Sequence, residues 1–215
     1  MNGSENLEFQ TLLRSRGDIL LSEKNILAVN QFRNLILDEN QRQNLTKILE
    51  PADFIDGHVV DAVELLKSGF VEGPAMDLGS GAGVPGLLCG LIREDVWVLL
   101  ESEGRKAEFL TRATQELNAS HVTVVRGRAE EYLKNHSVKS IVARAVGPVD
   151  RIYSWIHGCS TWNNLVLLKG RGWGEEWAAF QATRWRKELK IANKHYYTVG
   201  PEKKERWIVR LERAE

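Results

Sequence analysis

As far as about Phe70 the apolar residues recur every three or four positions, as in Leu12, Leu13, Ile19, Leu20, Ile26, Leu27, Phe32, Leu35 and Ile36, with no alternating run of β-branched residues. That spacing predicts helices with one apolar stripe. Within it, "NLTKILEPADF" sets a proline between acids and marks a turn with a fresh helix start, after which "GHVVDAVELL" continues the stripe. From Pro74 the pattern changes. Short apolar runs alternate with helical stretches: "AMDL" then "GLLCGLI", "VWVLLE" then "RKAEFLTRATQEL", "VTVV" then "AEEYLK", "SIVARA" then "VDRIYSWI", "LVLLK" then "EEWAAFQATRW". Such alternation predicts a parallel sheet covered by helices on both faces. The tail departs from it, because "KELKIANKHYYTV" and "ERWIVRLE" read as strands separated by "GPEKK" and so as an antiparallel hairpin. The expected α/β architecture is therefore a helical extension over 1–70, followed over 71–215 by a mostly parallel sheet closed by a hairpin.

Composition narrows the possibilities. A chain of 215 residues with 43% hydrophobic content can fill one large core. Lys plus Arg equals Asp plus Glu, 29 each, so no global basic field announces a nucleic-acid partner and any such partner must meet a local patch. No apolar run approaches the ~20 residues of a membrane span, and a signal-peptide pattern is missing, so the expected location is the cytoplasm, with no membrane partner. Cys89 and Cys159 lack zinc-site spacing and are expected to be buried free thiols; no metal is implied.

The candidate chemistry centres on "MDLGSGAGVPG", Met76 to Gly86, between the first strand and the helix after it, where open α/β folds bind ligands. Gly79, Gly81 and Gly83 would let the backbone turn tightly against a ligand, and Pro85 suits the first turn of the following helix. Gly81, Gly83 and Gly86 also satisfy the GxGxxG spacing of dinucleotide sites, whereas the lysine of a phosphate loop is missing. Asp77 discriminates: a carboxylate beside the loop repels a pyrophosphate and attracts a cation, such as the ammonium and sulfonium of S-adenosylmethionine. The alternative is a plain turn or helix-capping aspartate. Glu101 closes the second strand, where an acid can accept from both hydroxyls of a ribose.

These residues, with "NLTKI", "GHVVDAVELL", "LLESEGRKAEFL", "VVRGRAEE", "ARAVGP", "LLKG" and "KKERWIVRL" in this order, resemble the ribosomal RNA small subunit methyltransferase G family, also called glucose-inhibited division protein B, over most of the chain. The resemblance implies a Rossmann-like class I S-adenosylmethionine-dependent methyltransferase fold. It further implies methyl transfer to guanine N7 in the 530 loop of 16S ribosomal RNA, either in the small subunit or in an assembly intermediate, by a monomeric protein. Carried over by position, Gly79, Ser80, Gly81 and Gly83 line the methionine part with Asp77 beside them. Glu101 stands where the family more often has aspartate, so the longer side chain implies an altered geometry at the ribose. Arg128, Ala129 and Glu130 hold the adenine. Arg144, in an Arg-Ala pair after the fourth strand, is implied as a catalytic residue facing cofactor and RNA, and Lys169, in a Lys-Gly pair after the fifth, as a catalytic residue facing RNA. Arg206, placed before the last strand, is implied near RNA. The family usually has an acidic residue near Lys139 and Ser140, and its absence here implies only a local surface change. His58, in "GHVVD", is read as a structural hydrogen-bonding residue.

Guanine N7 has no proton to lose, so alignment must replace a general base. The chain has neither the Asn/Asp-Pro-Pro-aromatic segment of exocyclic-amine methyltransferases nor a suitably placed nucleophilic cysteine. Arg144 offers a planar fork to guanine O6 or a phosphate, and Lys169 a compact cation; for each the alternative is a structural salt bridge. The segment "RWRKELKIANKHYYTVGPEKKER" interleaves basic and aromatic residues and could grip phosphates and stack on bases, or be a solvated face over buried aromatics. Two other classes remain: an NAD-dependent oxidoreductase, opposed by Asp77, and an RNA-binding assembly factor that keeps the fold without turnover.

Overall fold

The computed structural model describes residues 3–214. Its amino-terminal part is helical, as the period requires: α1 (Gly3–Ser15), α2 (Glu23–Asn40), α3 (Pro51–Phe54) and α4 (Val60–Ser68). Ser22 caps α2 by accepting the Asn25 N–H, the Asn25 side chain answers the Ser22 backbone, and Pro51 opens α3. Between α3 and α4 runs a π-helical turn, Ile55–Val59, in which the next backbone N–H reaches five residues back to Ile55. Such single turns interrupt an otherwise α-helical run and often stand at functional places.

Seven strands follow: β1 (Ala75–Leu78), β2 (Trp97–Glu101), β3 (Val122–Arg126), β4 (Ser140–Arg144), β5 (Asn164–Lys169), β6 (Leu189–Val199) and β7 (Lys204–Arg213). They lie in the order β3-β2-β1-β4-β5-β7-β6. The first five are parallel and β7 runs antiparallel to β5 and β6, the closing hairpin expected from the tail. Helices α5 (Gly86–Arg93), α6 (Gly104–Glu116), α7 (Ala129–Tyr132), α8 (Val149–Ile156) and α9 (Trp173–Gln181) follow β1 to β5 in turn. The order reverses between β1 and β4, so the carboxyl ends there open the crevice in which such sheets bind ligands.

Alternation along the strands divides the core into two layers. Ala75, Leu99, Val142, Val166, Leu168 and Ile208 face the layer shared with α1 to α6, and Met76, Leu100, Ile141, Leu165, Leu167 and Val209 face the layer of α8 and α9. The helical extension therefore shares one apolar core with the sheet; Phe9, Phe32, Ile36 and Phe54 lie in it fully buried. The same alternation aims the polar residues at the strand ends. Asp77, Glu101, Arg144 and Arg206 are in phase with the extension's layer, and Lys169 with that of α9.

Three expectations need correction. Ser140 is fully buried, and its Oγ accepts the Glu72 N–H at 2.8 Å, so the substitution there is a core hydrogen bond and not a surface change. Cys89 is a buried free thiol, but Cys159 is only half-buried. Pro85 occupies the N-cap of α5, one position ahead of the first turn.

Candidate active site

The glycine loop is a self-contained knot of backbone. Gly79 and Ser80 donate their N–H groups to the Leu100 carbonyl at 2.8 and 3.2 Å, and Gly83 donates to the Ser80 carbonyl at 2.7 Å. Gly79 has φ +69°, and a Cβ there would stand 3.0 Å from a Val146 methyl, so both conformation and space favour glycine. At Gly86 the constraint is contact alone: a Cβ would fall 2.6 Å from the Asp77 Cβ. That close approach brings the Gly86 N–H to Asp77 Oδ2 at 2.9 Å, while Ser80 Oγ donates to the Asp77 carbonyl at 2.9 Å. Asp77 is thus inside β1, under the loop, with the capping contact weighed as the alternative. Its burial pushes the carboxyl up to about 7. What it does in the structure is shape the loop, by accepting the N–H of the residue that opens α5.

Glu101 closes the knot from the neighbouring strand. It accepts the Gly81 N–H at Oε2 and the Glu103 N–H at Oε1, both at 2.8 Å. Its side chain ties the loop to the start of α6. A carboxylate offers about four lone-pair directions, so two remain for ribose hydroxyls. By contrast the N–H groups of Gly79, Ser80, Gly81, Gly83 and Gly86 are all taken within the protein, which leaves these positions without the free donors that a pyrophosphate needs.

Beside the loop is a crevice of about 100 Å³ lined by Leu78, Gly79, Leu100, Arg128, Ala129, Glu130, Val146 and Trp155, among others. Arg128, Ala129 and Glu130 are therefore together where an adenine was expected, with Arg128 exposed and Ala129 buried. Trp155 adds an aromatic wall that the strand-end motifs did not reveal. Apolar walls, a hydroxyl-accepting acid and no free phosphate donors at those loop positions fit a nucleoside carrying a methionine better than a dinucleotide.

Across the segment 145–147 lies a second, wider cavity of about 410 Å³, lined by Asp61, Arg144, Ala145, Gly147, Leu168, Lys169, Gly170, Glu176 and Arg206. Ala145 holds the left-handed backbone at φ +58°, which costs an L-residue roughly 1–2 kcal/mol. The strained turn gives Val146 to the crevice and Ala145 and Gly147 to the cavity. Arg144, Lys169 and Arg206 do converge in one place. Arg144 and Lys169 are the last residues of β4 and β5, and Arg206 is inside β7 instead of before it.

None of the cationic heads stands free of protein contacts. Lys169 Nζ donates to Glu176 at 2.6 Å and to the Gly147 carbonyl at 2.8 Å, and Glu176 also accepts the Val149 N–H at 2.8 Å. Arg206 donates to the Glu205 carbonyl at 3.2 Å. Arg144 is the most constrained: Nε meets Asp61 Oδ2 at 2.9 Å, one terminal nitrogen lies 3.1 Å from His58 Nδ1, and the other donates to the Gly57 carbonyl. Asp61 is 2% exposed and also accepts the Tyr197 hydroxyl at 2.7 Å. Burial, reinforced by the neighbouring Arg144, lowers His58 to about 3, so the ring is neutral beside the guanidinium. His58 is the structural residue expected. Asp61, Glu176 and Tyr197 were missed; only the spacing of "GHVVD" hinted at an acid on the same helical face as His58.

In the basic and aromatic segment, the aromatics serve mostly the interior. Tyr197 is buried on Asp61, Trp185 packs on the layer of α9, as does Trp207 just beyond the segment, and Tyr196 is 47% exposed. Among the described residues no group of His, Cys, Asp and Glu could hold a metal ion, and no helix is long and apolar enough to cross a membrane.

Known proteins share both the sequence and the fold. The chain is similar to the ribosomal RNA small subunit methyltransferase G of Solibacter usitatus, 32% identical over 79% of this chain and 83% of that one, and to that of Nitrosococcus oceani, 32% identical over 76% and 77%. Over a shorter stretch, 49% of this chain and 46% of the other, it is 45% identical to the Streptomyces coelicolor protein of the same name. Among solved structures, a variant of MtNAS in complex with S-adenosylmethionine shares the fold with TM-score 0.57 at 16% identity, over 89% of this chain and 77% of that one. The fold is the Rossmann-like class I methyltransferase fold. A family model described as rRNA small subunit methyltransferase G matches residues 25–205, and the chain belongs to that family.

Proposed function

We propose that this rRNA methyltransferase transfers a methyl group from S-adenosylmethionine to N7 of a guanine in the 530 loop of 16S rRNA, without a general base. The observation that carries the reading is the pair of recesses at the switch of strand order, one lined largely by backbone and apolar groups with Arg128 and Glu130, the other by three cations and two acids, with the turn 145–147 contributing to both. When bound in the crevice, S-adenosylmethionine supplies a methyl group on a positive sulfur. The chain's part is to orient. Glu101 would accept from the ribose, Arg128, Ala129 and Glu130 would flank the adenine, and the Gly79 to Gly83 loop would hold the methionine end. On the other side of the turn, Arg144, Lys169 and Arg206 favour a polyanion and position the base, whose N7 lone pair needs no deprotonation. The acids in this cavity support that: Asp61 is paired to Arg144 and Tyr197, and Glu176 to Lys169, so neither is a free base.

Charge supports an RNA surface confined to this patch, since the chain as a whole is neutral. Labelled methyl transfer to guanosine, a short hairpin, naked 16S rRNA and small subunits, followed by mass mapping of the modified nucleotide, tests the reading. The expected result is one 7-methylguanine in the 530 loop and poor reaction of free guanosine. Methylation at an exocyclic amine or ribose hydroxyl, or equal specificity for nucleoside and particle, would refute it.

A further inference from the structure

The amino-terminal helices do more than cover the sheet, because they supply the groups that fix the direction of Arg144. β4 ends in phase with the layer of the extension, so the Arg144 side chain leaves the sheet toward the π-helical turn. There the guanidinium meets the Gly57 carbonyl, His58 Nδ1 and Asp61 Oδ2. Gly57 is itself pressed against Ile48, whose Cδ1 would lie 2.9 Å from a Cβ at that position. On its other side Asp61 is fastened to the sheet's far end by the Tyr197 hydroxyl on β6, and Arg206 on the adjacent β7 lines the same cavity.

We propose that Asp61, held by Tyr197, is the positioning residue of the methyl-transfer site: it locks the Arg144 fork in one orientation at the wall of the acceptor cavity and so couples the helical extension to turnover. This rests on the functional reading given above. An arginine with five donors in a rigid plane is directional only if some of them are anchored. Here Nε and both terminal nitrogens have protein contacts, which fixes the plane and leaves the remaining N–H directions for substrate. A carboxylate buried at 2% exposure beside one arginine and one tyrosine has few other uses. The coupling also explains why a π turn is placed where the chain enters α4: Gly57 and His58 lie on the turn itself, and Asp61 is on the first turn of α4.

The test separates positioning from folding. Asp61→Asn keeps the size and an acceptor for Tyr197 while removing the charge, and Tyr197→Phe removes only the hydroxyl. Both should leave the affinity for S-adenosylmethionine within about two-fold of wild type, while Asp61→Asn lowers kcat on saturating rRNA by about ten-fold or more and Tyr197→Phe by about three-fold. In an Arg144→Lys background the further loss from Asp61→Asn should shrink to about two-fold or less, because the fork it positions has gone. The Arg144 Nε–H resonance in protein carrying ¹⁵N-labelled arginine gives a readout independent of activity; it should be protected from exchange in wild type and lose that protection in Asp61→Asn. Unchanged kcat in Asp61→Asn, or losses that multiply in full in the Arg144→Lys background, would overturn the proposal. A wild-type protein with a protected Arg144 Nε–H but no methylation of rRNA would refute the functional reading while leaving the lock itself standing.

Discussion

The crevice and the cavity lie a few residues apart and are built in opposite ways. The glycine loop that borders the crevice is made of contiguous sequence: Asp77 to Gly86 folds on itself, and one acid, Glu101, reaches in from the next strand to close it. The cavity is made of side chains scattered from Asp61 to Arg206, and its central group, Asp61, is held by Arg144 and Tyr197 from far along the chain. Backbone geometry forced by glycine is a local property, whereas an ion pair between Asp61 and Arg144 exists only after the sheet and the helical extension have closed on each other. The first kind of site should break by steric insertion, and the second by leaving a buried charge alone.

The largest effect should come from that second kind of break. Arg144→Ala strands Asp61 without its counter-charge and should destabilise the protein by about 3–5 kcal/mol, with Asp61→Asn in the same chain restoring much of the loss. Denaturant unfolding of the two variants checks this, and an additive further loss in the double variant would show that Asp61 does not depend on Arg144. On the crevice side, Glu101→Ala removes an acceptor of two backbone bonds and of the expected ribose bonds. It should weaken calorimetric binding of S-adenosylmethionine by about 1–3 kcal/mol, and unchanged affinity with an intact fold would exclude Glu101 from the ribose site. Gly86→Ala drives a methyl into Asp77 and Leu99 and should cost about 1–3 kcal/mol of stability in the same unfolding assay.

The pH dependence of stability sharpens the contrast at two single groups, His58 and Asp77, which titrate in opposite senses, whereas burial pushes Asp61 in the cavity up, as it does Asp77. His58 is held near 3 when folded against 6.5 unfolded, so its contribution is lost as pH falls from about 6.5 toward 3. Asp77 is held at about 7 against 3.8, so the folded form binds the extra proton and stability is lost as pH rises from about 4 to 7. Where the two windows overlap they offset each other in the wild type. His58→Gln should unmask a decline with rising pH, and Asp77→Asn a rise, each by up to about 1.4 kcal/mol per pH unit. Parallel slopes in all three proteins between pH 4 and 6.5 would show that neither group is perturbed as described. The smallest effect is expected at the rim of the cavity: Arg206→Ala should raise the KM for RNA and make the log-affinity against log-salt slope shallower by about 0.7 to 0.9, the share of one phosphate contact.

The sequence made the fold legible because period and punctuation are local. The three- to four-residue recurrence up to Phe70, the strand and helix alternation after Pro74 and the terminal hairpin all appear as read. The glycine loop was legible for the same reason, down to the positive φ at Gly79, Gly81 and Gly83. What each charge touches was not. Lys169 and Arg144 were placed at strand ends, but which face each would choose follows from the pleat. Glu176, the partner of Lys169, is on the next helix, but Asp61, the partner of Arg144, lies on a helix that only the closed fold brings near. Tyr197 stood in a segment read for RNA contact, and its hydroxyl is spent on a buried acid 136 residues away. The replacement at Ser140 seemed superficial because nothing in its neighbours announced the Glu72 N–H that it accepts.

The division of labour between the two recesses is tested most directly by one pair of measurements on Arg144→Lys, which keeps the charge opposite Asp61 and removes the fork: the dissociation constant for S-adenosylmethionine by calorimetry, and kcat on saturating 16S rRNA. The account predicts cofactor affinity within about two-fold of wild type and kcat reduced by about ten- to a hundred-fold, since alignment of the base is lost while the crevice is intact. A collapse of cofactor affinity with turnover preserved at saturating cofactor would contradict it, and would place Arg144 with the crevice instead of the cavity.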